Sequence, residues 1–203
     1  MQMPEFSQGD ILAFVVATGF AAGLNVYATA LALGAMARLH WIDLPVGLEL
    51  LANQWILSAS GVLFAIEFFA DKIPAFDLIW NALHTFVRIP VAALMAYAAG
   101  SQLPPAAHVL ATCLGAGFAA IAHGSKAAAR VVVTPSPEPV SNIALSTAED
   151  VGAVGLSWVA VHHPMTGAAI VVALAVGGIG LMWWGYRLAR SGVRRLVRRP
   201  TAH

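Results

Sequence analysis

The stretch Asn142 to Trp158 reads NIALSTAEDVGAVGLSW, and how it is read decides the fold. Without the neighbouring carboxylates Glu149 and Asp150 it would pass for part of a transmembrane helix. An ionised group facing lipid near the bilayer centre costs roughly 2.5 to 3.5 kcal/mol, and somewhat less at shallower depth. Adjacent residues on a helix point about 100° apart. Both acids can therefore be turned from lipid only if that whole face meets protein or water. The stretch predicts an inner helix that lines a polar cavity or pairs with bases of the preceding span.

The rest of the chain supports a membrane setting. Of its 203 residues 59% are hydrophobic and 10% charged, with a mean hydropathy of +0.76. Soluble domains carry roughly a quarter charged residues. The expected fold class is an all-α membrane protein of about six transmembrane helices, each needing roughly 20 apolar residues. The runs are Ile11 to Ala37, Trp55 to Ala70, Ile79 to Gly100, Ala106 to Ala122 (with helix continuing to Val133), Ile143 to Val161, and Met165 to Tyr186. The linkers LHWIDLPVGLEL, SQLPPA, VVVTPSPEPVS and HHP are rich in Pro and polar groups, as breaks between spans should be. Residues 1–190 read as one polytopic domain and 191–203 as a basic cytoplasmic tail. The N-terminus has two acids and no base before Ile11, so the first run is expected to be a retained span.

Six spans would put both termini on one side, where the positive-inside rule can be applied. With that side cytoplasmic, Lys72, Arg88, Lys126, Arg130 and six tail arginines lie at or near the inner face, and only Arg38 lies outside. This selects an inner-membrane protein with both termini in the cytoplasm. The tail GVRRLVRRP suits contact with anionic lipid.

The acids are as uneven as the bases. Glu67, Asp71 and Asp77 surround the inner connection between the second and third spans, and Glu149 and Asp150 lie about two turns into the fifth from the same side. Lys72, Arg88, Lys126 and Arg130 share that level, so five acids and four bases are expected to converge in the inner half. Lys126 and Arg130 are four apart on one helix face, which makes them the natural partners of Glu149 and Asp150.

Three spans carry local breaks: Gly23-Leu24-Asn25, Arg88-Ile89-Pro90 and His123-Gly124-Ser125. Freed backbone groups are tolerated at membrane depth only where protein or water satisfies them. Broken helices often form transporter sites. Gly19 to Ala22 and Gly117 to Ala120 both read GFAA, each before a break, and three spans per half would make a 3+3 inverted repeat. Asp71 to Pro90 is amphipathic, with Asp77, Asn81, His84 and Arg88 on one face. It reads as interfacial, re-entrant or spanning.

No metalloprotease, nucleophile-elbow, P-loop, dinucleotide or CxxC pattern occurs. The sequence calls for no cofactor and no catalytic residue. A metal could use His84 or His123 with Glu67, Asp71, Glu149 or Asp150, though no spacing requires one. Cys113 reads as a packed thiol. The only basic run is the membrane-adjacent tail, so nucleic acid is not an expected partner.

The segments GLNVYATALALG (Gly23 to Gly34), EFFADKIPAFD (Glu67 to Asp77), NALHTFVRIP (Asn81 to Pro90), HGSKAAAR (His123 to Arg130) and SNIALSTAED (Ser141 to Asp150) resemble the bacterial membrane family called domain of unknown function 4126. The resemblance implies a multi-pass inner-membrane protein and no particular activity.

These residues lead to a small ion or solute transporter or channel, not an enzyme, with a cytoplasm-facing polar cavity. Its expected pathway residues are Asn25, Glu67, Asp71, Asp77, His84, Arg88, His123, Lys126, Arg130, Glu149 and Asp150. So small a protein would form a pathway as a homodimer, which small-residue runs in spans one, four and six allow. The alternative is a non-transporting scaffold with a structural ion-pair network. A third reading is a lipid enzyme using His84 or His123 for acid–base chemistry.

Overall fold

Ser7 starts the first helix by closing a capping box. Its hydroxyl accepts from the Asp10 backbone N–H at 3.1 Å, and the Asp10 carboxylate accepts from the Ser7 N–H at 3.1 Å. In the computed structural model, which describes residues 6–70, 74–133 and 139–197, this leads into α1, Gln8–Leu24. Then follow α2 (Val26–Arg38), a 3-10 segment (Val46–Ala52), α3 (Gln54–Ala70), α4 (Pro74–Ala99), α5 (Pro105–Val133), α6 (Pro139–His162) and α7 (Pro164–Val197). The described residues contain no strand.

Among the described residues three stretches are long and apolar enough to cross a bilayer: Ala82–Ala99, Pro105–Arg130 and Pro164–Arg187. The 3-10 segment and α3, bent by 69° at their junction, make a fourth if taken together. The six-span expectation differs in two places. The first run is split into two shorter helices, 17 and 13 residues long, and α6 is too polar to pass on apolarity.

Between α1 and α5 small residues let the backbones approach. A Cβ added at Gly19 would lie 2.7 Å from the Gly115 carbonyl oxygen, and one at Gly23 would strike the backbone of Ala119. Since 19 faces 115 and 23 faces 119, α1 and α5 run side by side in the same direction through small-xxx-small faces. The two GFAA runs sit on these parallel helices, so the pairing that suggested an inverted repeat gains nothing from the fold. An inverted pair would run in opposite directions. Helix α4 runs against α5, with Ala92 and Ala96 on Gly115 and Gly100 beside His108. Helix α6 runs against α1, placing Leu24 beside Gly152.

Helix α2 does not continue the course of α1. Gly34 packs on Leu51 and Leu57, and Leu31 on Gly61, so α2 is antiparallel to α3. The loop after α2 arrives where the chain began: Phe6, Asp10 and Ile11 line one cavity with Asp43, Leu44 and Pro45, and with Ala99, Gln102, Val161, His162 and Pro164. Helices α1 and α2 thus enter and return at one end of the bundle. That end carries Asp10, Asp43 and Glu49 and is here called the acidic end. Helix α2 stops at a Schellman-type turn, in which Trp41 N–H donates to Met36 O at 3.0 Å and His40 adopts φ 56°.

Of the three expected breaks, only Asn25 interrupts a helix. Pro90 lies inside a continuous α4, exposed on its outer side, a position tolerated in membrane helices. In α5, Ser125 bonds back to Ile121 O at 2.6 Å and Gly124 gives way to Met182, whose sulfur would lie 2.6 Å from an added Cβ. Pro74 to Pro90 is the first part of one long helix.

Candidate functional site

Asn25 has an extended backbone (φ −150°, ψ 105°) and serves both helices it separates. Its N–H closes α1 on Ala21 O at 3.0 Å. Its Oδ1 caps α2 by accepting from Ala28 N–H at 2.9 Å. Its Nδ2 then donates to Asp150 Oδ1 at 2.8 Å. Asn25 is fully buried, so every group freed at the break must find protein. Thr29 adds a hydroxyl bond to the Asn25 carbonyl at 2.9 Å.

Glu149 and Asp150 therefore point to different partners. The Glu149 carboxylate takes both bases of α5 on one oxygen: Lys126 Nζ at 3.0 Å and Arg130 at 3.1 Å from Oε2. The four-residue spacing on α5 makes this convergence legible in sequence. Ser146, one turn before on the same buried face of α6, is fully buried, and its hydroxyl makes no hydrogen bond among the described residues.

A second group joins α3, α4 and α5. Glu67 and Arg88, both fully buried, form a salt bridge. Arg88 also donates to His123 Nδ1 at 3.2 Å. Because a guanidinium has only donors, Nδ1 must accept, which leaves Nε2–H to donate to Thr85 Oγ1 at 2.6 Å. On the neighbouring turn His84 Nδ1 donates to Trp80 O at 2.9 Å, and Tyr27 O–H donates to His84 Nε2 at 3.1 Å. His84 stacks on Trp80 with centroids 4.3 Å apart. The two groups adjoin along α5, where His123 and Lys126 are three residues apart on one helix.

Nine of the eleven expected pathway residues are thus buried: Asn25, Glu67, His84, Arg88, His123, Lys126, Arg130, Glu149 and Asp150. Asp71 and the Asp77 side chain lie outside the described residues. Sequence reasoning missed Tyr27, Thr29 and Thr85. Tyr27 is two residues after Asn25, and Thr85 adjoins His84, so proximity to candidates was the available signal. Among the described residues buried charge balances, with three acids (Glu67, Glu149, Asp150) against three bases (Arg88, Lys126, Arg130). Of the two cavities described, only the smaller reaches this network, and only at Tyr27. The mixed cavity of about 720 Å³ lies at the acidic end, and the other, about 340 Å³, is walled chiefly by apolar side chains of α2, the 3-10 segment, α3 and α4. Among the described residues no three His, Cys, Asp or Glu side chains are grouped to hold a metal. Cys113 is exposed on α5, not packed as expected.

Three apolar helices long enough to cross a bilayer, in a chain whose described residues form no strand, mark an all-helical membrane protein. The chain belongs to the family described as Domain of unknown function (DUF4126), whose model matches residues 12–184. No curated protein and no solved structure matches the chain.

Proposed function

We propose that this protein is a small ion or solute transporter of the bacterial inner membrane, with the buried network as its pathway. One observation carries the reading: Asn25, at a helix break in the membrane region, is hydrogen-bonded to the carboxylate of Asp150. Ionisable groups inside membrane helices mark pathways for ions and protons, and interrupted helices commonly form the site. Movement of α1 and α2 against α6 would change the surroundings of Asp150. The positive-inside rule puts the end bearing Arg187 and Arg190 in the cytoplasm. Because α2 returns to the end where α1 starts, the N-terminus would then face the other side, in contrast to the six-span scheme. The small residues of α1 and α5 are used within the monomer, so a homodimer would form through outward glycines of α7 such as Gly177 and Gly180. The test is flux in proteoliposomes under imposed proton, sodium, potassium and chloride gradients. Wild type should carry flux, and Asp150→Asn should lose it while remaining folded; flux unchanged in Asp150→Asn would refute the assignment.

A second reading, a non-transporting scaffold, is favoured by the equal numbers of buried acids and bases among the described residues. Buried pairs can serve only to fix helix register. In that case no gradient would drive flux, while the charge variants would still destabilise the fold.

A further inference from the structure

We propose that the groove between α2, the 3-10 segment, α3 and α4 is a binding site for a membrane phospholipid, with one acyl chain in the groove and the phosphate at Arg38. The groove, about 340 Å³, is lined by Val26, Tyr27, Ala30, Leu51, Leu63 and Met95 among others. Its rim bears exposed Leu50, Leu63 and Leu94, and its walls belong to apolar helices. An opening of that kind admits an apolar chain; water there would find few hydrogen-bond partners, Ser60 and Tyr27 being the only polar side chains among the lining residues. On α4 the lining runs from Val91 to Ala98, about 10 Å at 1.5 Å per residue, against a leaflet of about 15 Å. One acyl chain entering from the acidic end matches this depth.

The headgroup end carries the matching charge. Among the described residues Arg38 is the only Lys or Arg that the fold places at the acidic end, against the general distribution of bases in this chain. Its NH1 donates to Ala52 O at 3.1 Å, which fixes the guanidinium over the junction of the 3-10 segment and α3. Leu50 and Leu51 of the groove directly precede that carbonyl. The guanidinium keeps further donors for a phosphate. Trp41 and Trp55, both highly exposed, mark the same level as the interface. A detached anion would find Arg38 alone, whereas a phospholipid uses both the base and the groove. At its deep end the groove includes Tyr27, whose hydroxyl donates to His84, so an occupant would touch the buried network.

Native mass spectrometry of the detergent-purified full chain, titrated with phosphatidylglycerol, tests this. Wild type should show one saturable lipid adduct. Ala59→Phe, which fills the groove, should abolish it, and Val62→Phe, equal bulk on the outward face of α3, should not. Arg38→Gln should weaken phosphatidylglycerol roughly tenfold and leave diacylglycerol unaffected. If Ala59→Phe fails to fold, Ala59→Leu supplies a smaller filling. Three results would each overturn the assignment: no saturable adduct, an adduct unchanged by filling the groove, or a dimer that filling disrupts without any change in lipid binding.

Discussion

Asn25 and Asp150, 125 positions apart in the chain, meet at 2.8 Å at the point where the first apolar run breaks and turns back. The bond joins a helix cap to a buried carboxylate, so the shape of α1 and α2 and the charge of α6 depend on each other. Asn25→Asp preserves the cap acceptor but puts a second carboxylate against Asp150. It should destabilise the protein by about 3 kcal/mol or more. Asn25→Ser keeps a capping oxygen and loses the reach to Asp150, at about 1 to 2 kcal/mol. Unfolding in detergent should rank wild type above Ser and Ser above Asp; the reverse order for the two variants would mean that the contact with Asp150 does not matter.

Glu149 holds two bases on one oxygen. Glu149→Gln leaves Lys126 and Arg130 facing each other and should cost about 3 to 5 kcal/mol. Adding Lys126→Met removes that repulsion, so the double variant should be more stable than the summed single effects by at least about 1 kcal/mol. Strict additivity in a thermal-unfolding cycle would show that the three groups are not coupled.

Gly19 meets the Gly115 backbone with no room for a side chain. Gly19→Leu should separate α1 from α5 and lower stability by about 1 to 3 kcal/mol, the usual range for overpacking. Gly117→Leu, where an added Cβ meets nothing within 4 Å, should leave the melting temperature nearly unchanged. Equal melting temperatures for the two would remove the close α1–α5 contact as a source of stability.

The returning α2 makes a topological prediction. After Cys113→Ala, single cysteines at Ser7, Asp43, Gln102 and His163 should all react with an impermeant maleimide from one side of the membrane. A cysteine at Arg190 should react only from the other. Labelling of the Ser7 and Arg190 sites from the same side would restore the six-span arrangement.

Ser146 is buried with its hydroxyl unbonded among the described residues. Ser146→Ala should therefore be neutral or stabilising by up to about 1 kcal/mol, since it removes a polar group without a compensating bond. A loss above about 1 kcal/mol in chemical denaturation would mean that the hydroxyl is bonded after all.

The sequence by itself determined the helical membrane class, because composition and apolar run length report directly on the solvent a segment can tolerate. It also brought Lys126 and Arg130 to Glu149, since four-residue spacing sets a helix face and the cost of lipid exposure turns the acid inward. Asn25 was legible as a break, though not in its consequence. Reversal of α2 depends on contacts such as Gly34 against Leu51, and hydropathy, which is the same for a helix that crosses and one that returns, carries no record of direction. Continuity through Pro90 and His123 was likewise decided by packing and by side-chain bonds to the backbone. Only the tertiary structure separated Asp150 from Glu149, giving one to Asn25 and the other to the bases of α5. It alone joined Glu67 to Arg88 and brought Tyr27 to His84. Partners far apart in the chain are chosen by which helices pack together, and in this bundle that is settled by where glycine and alanine let two backbones approach.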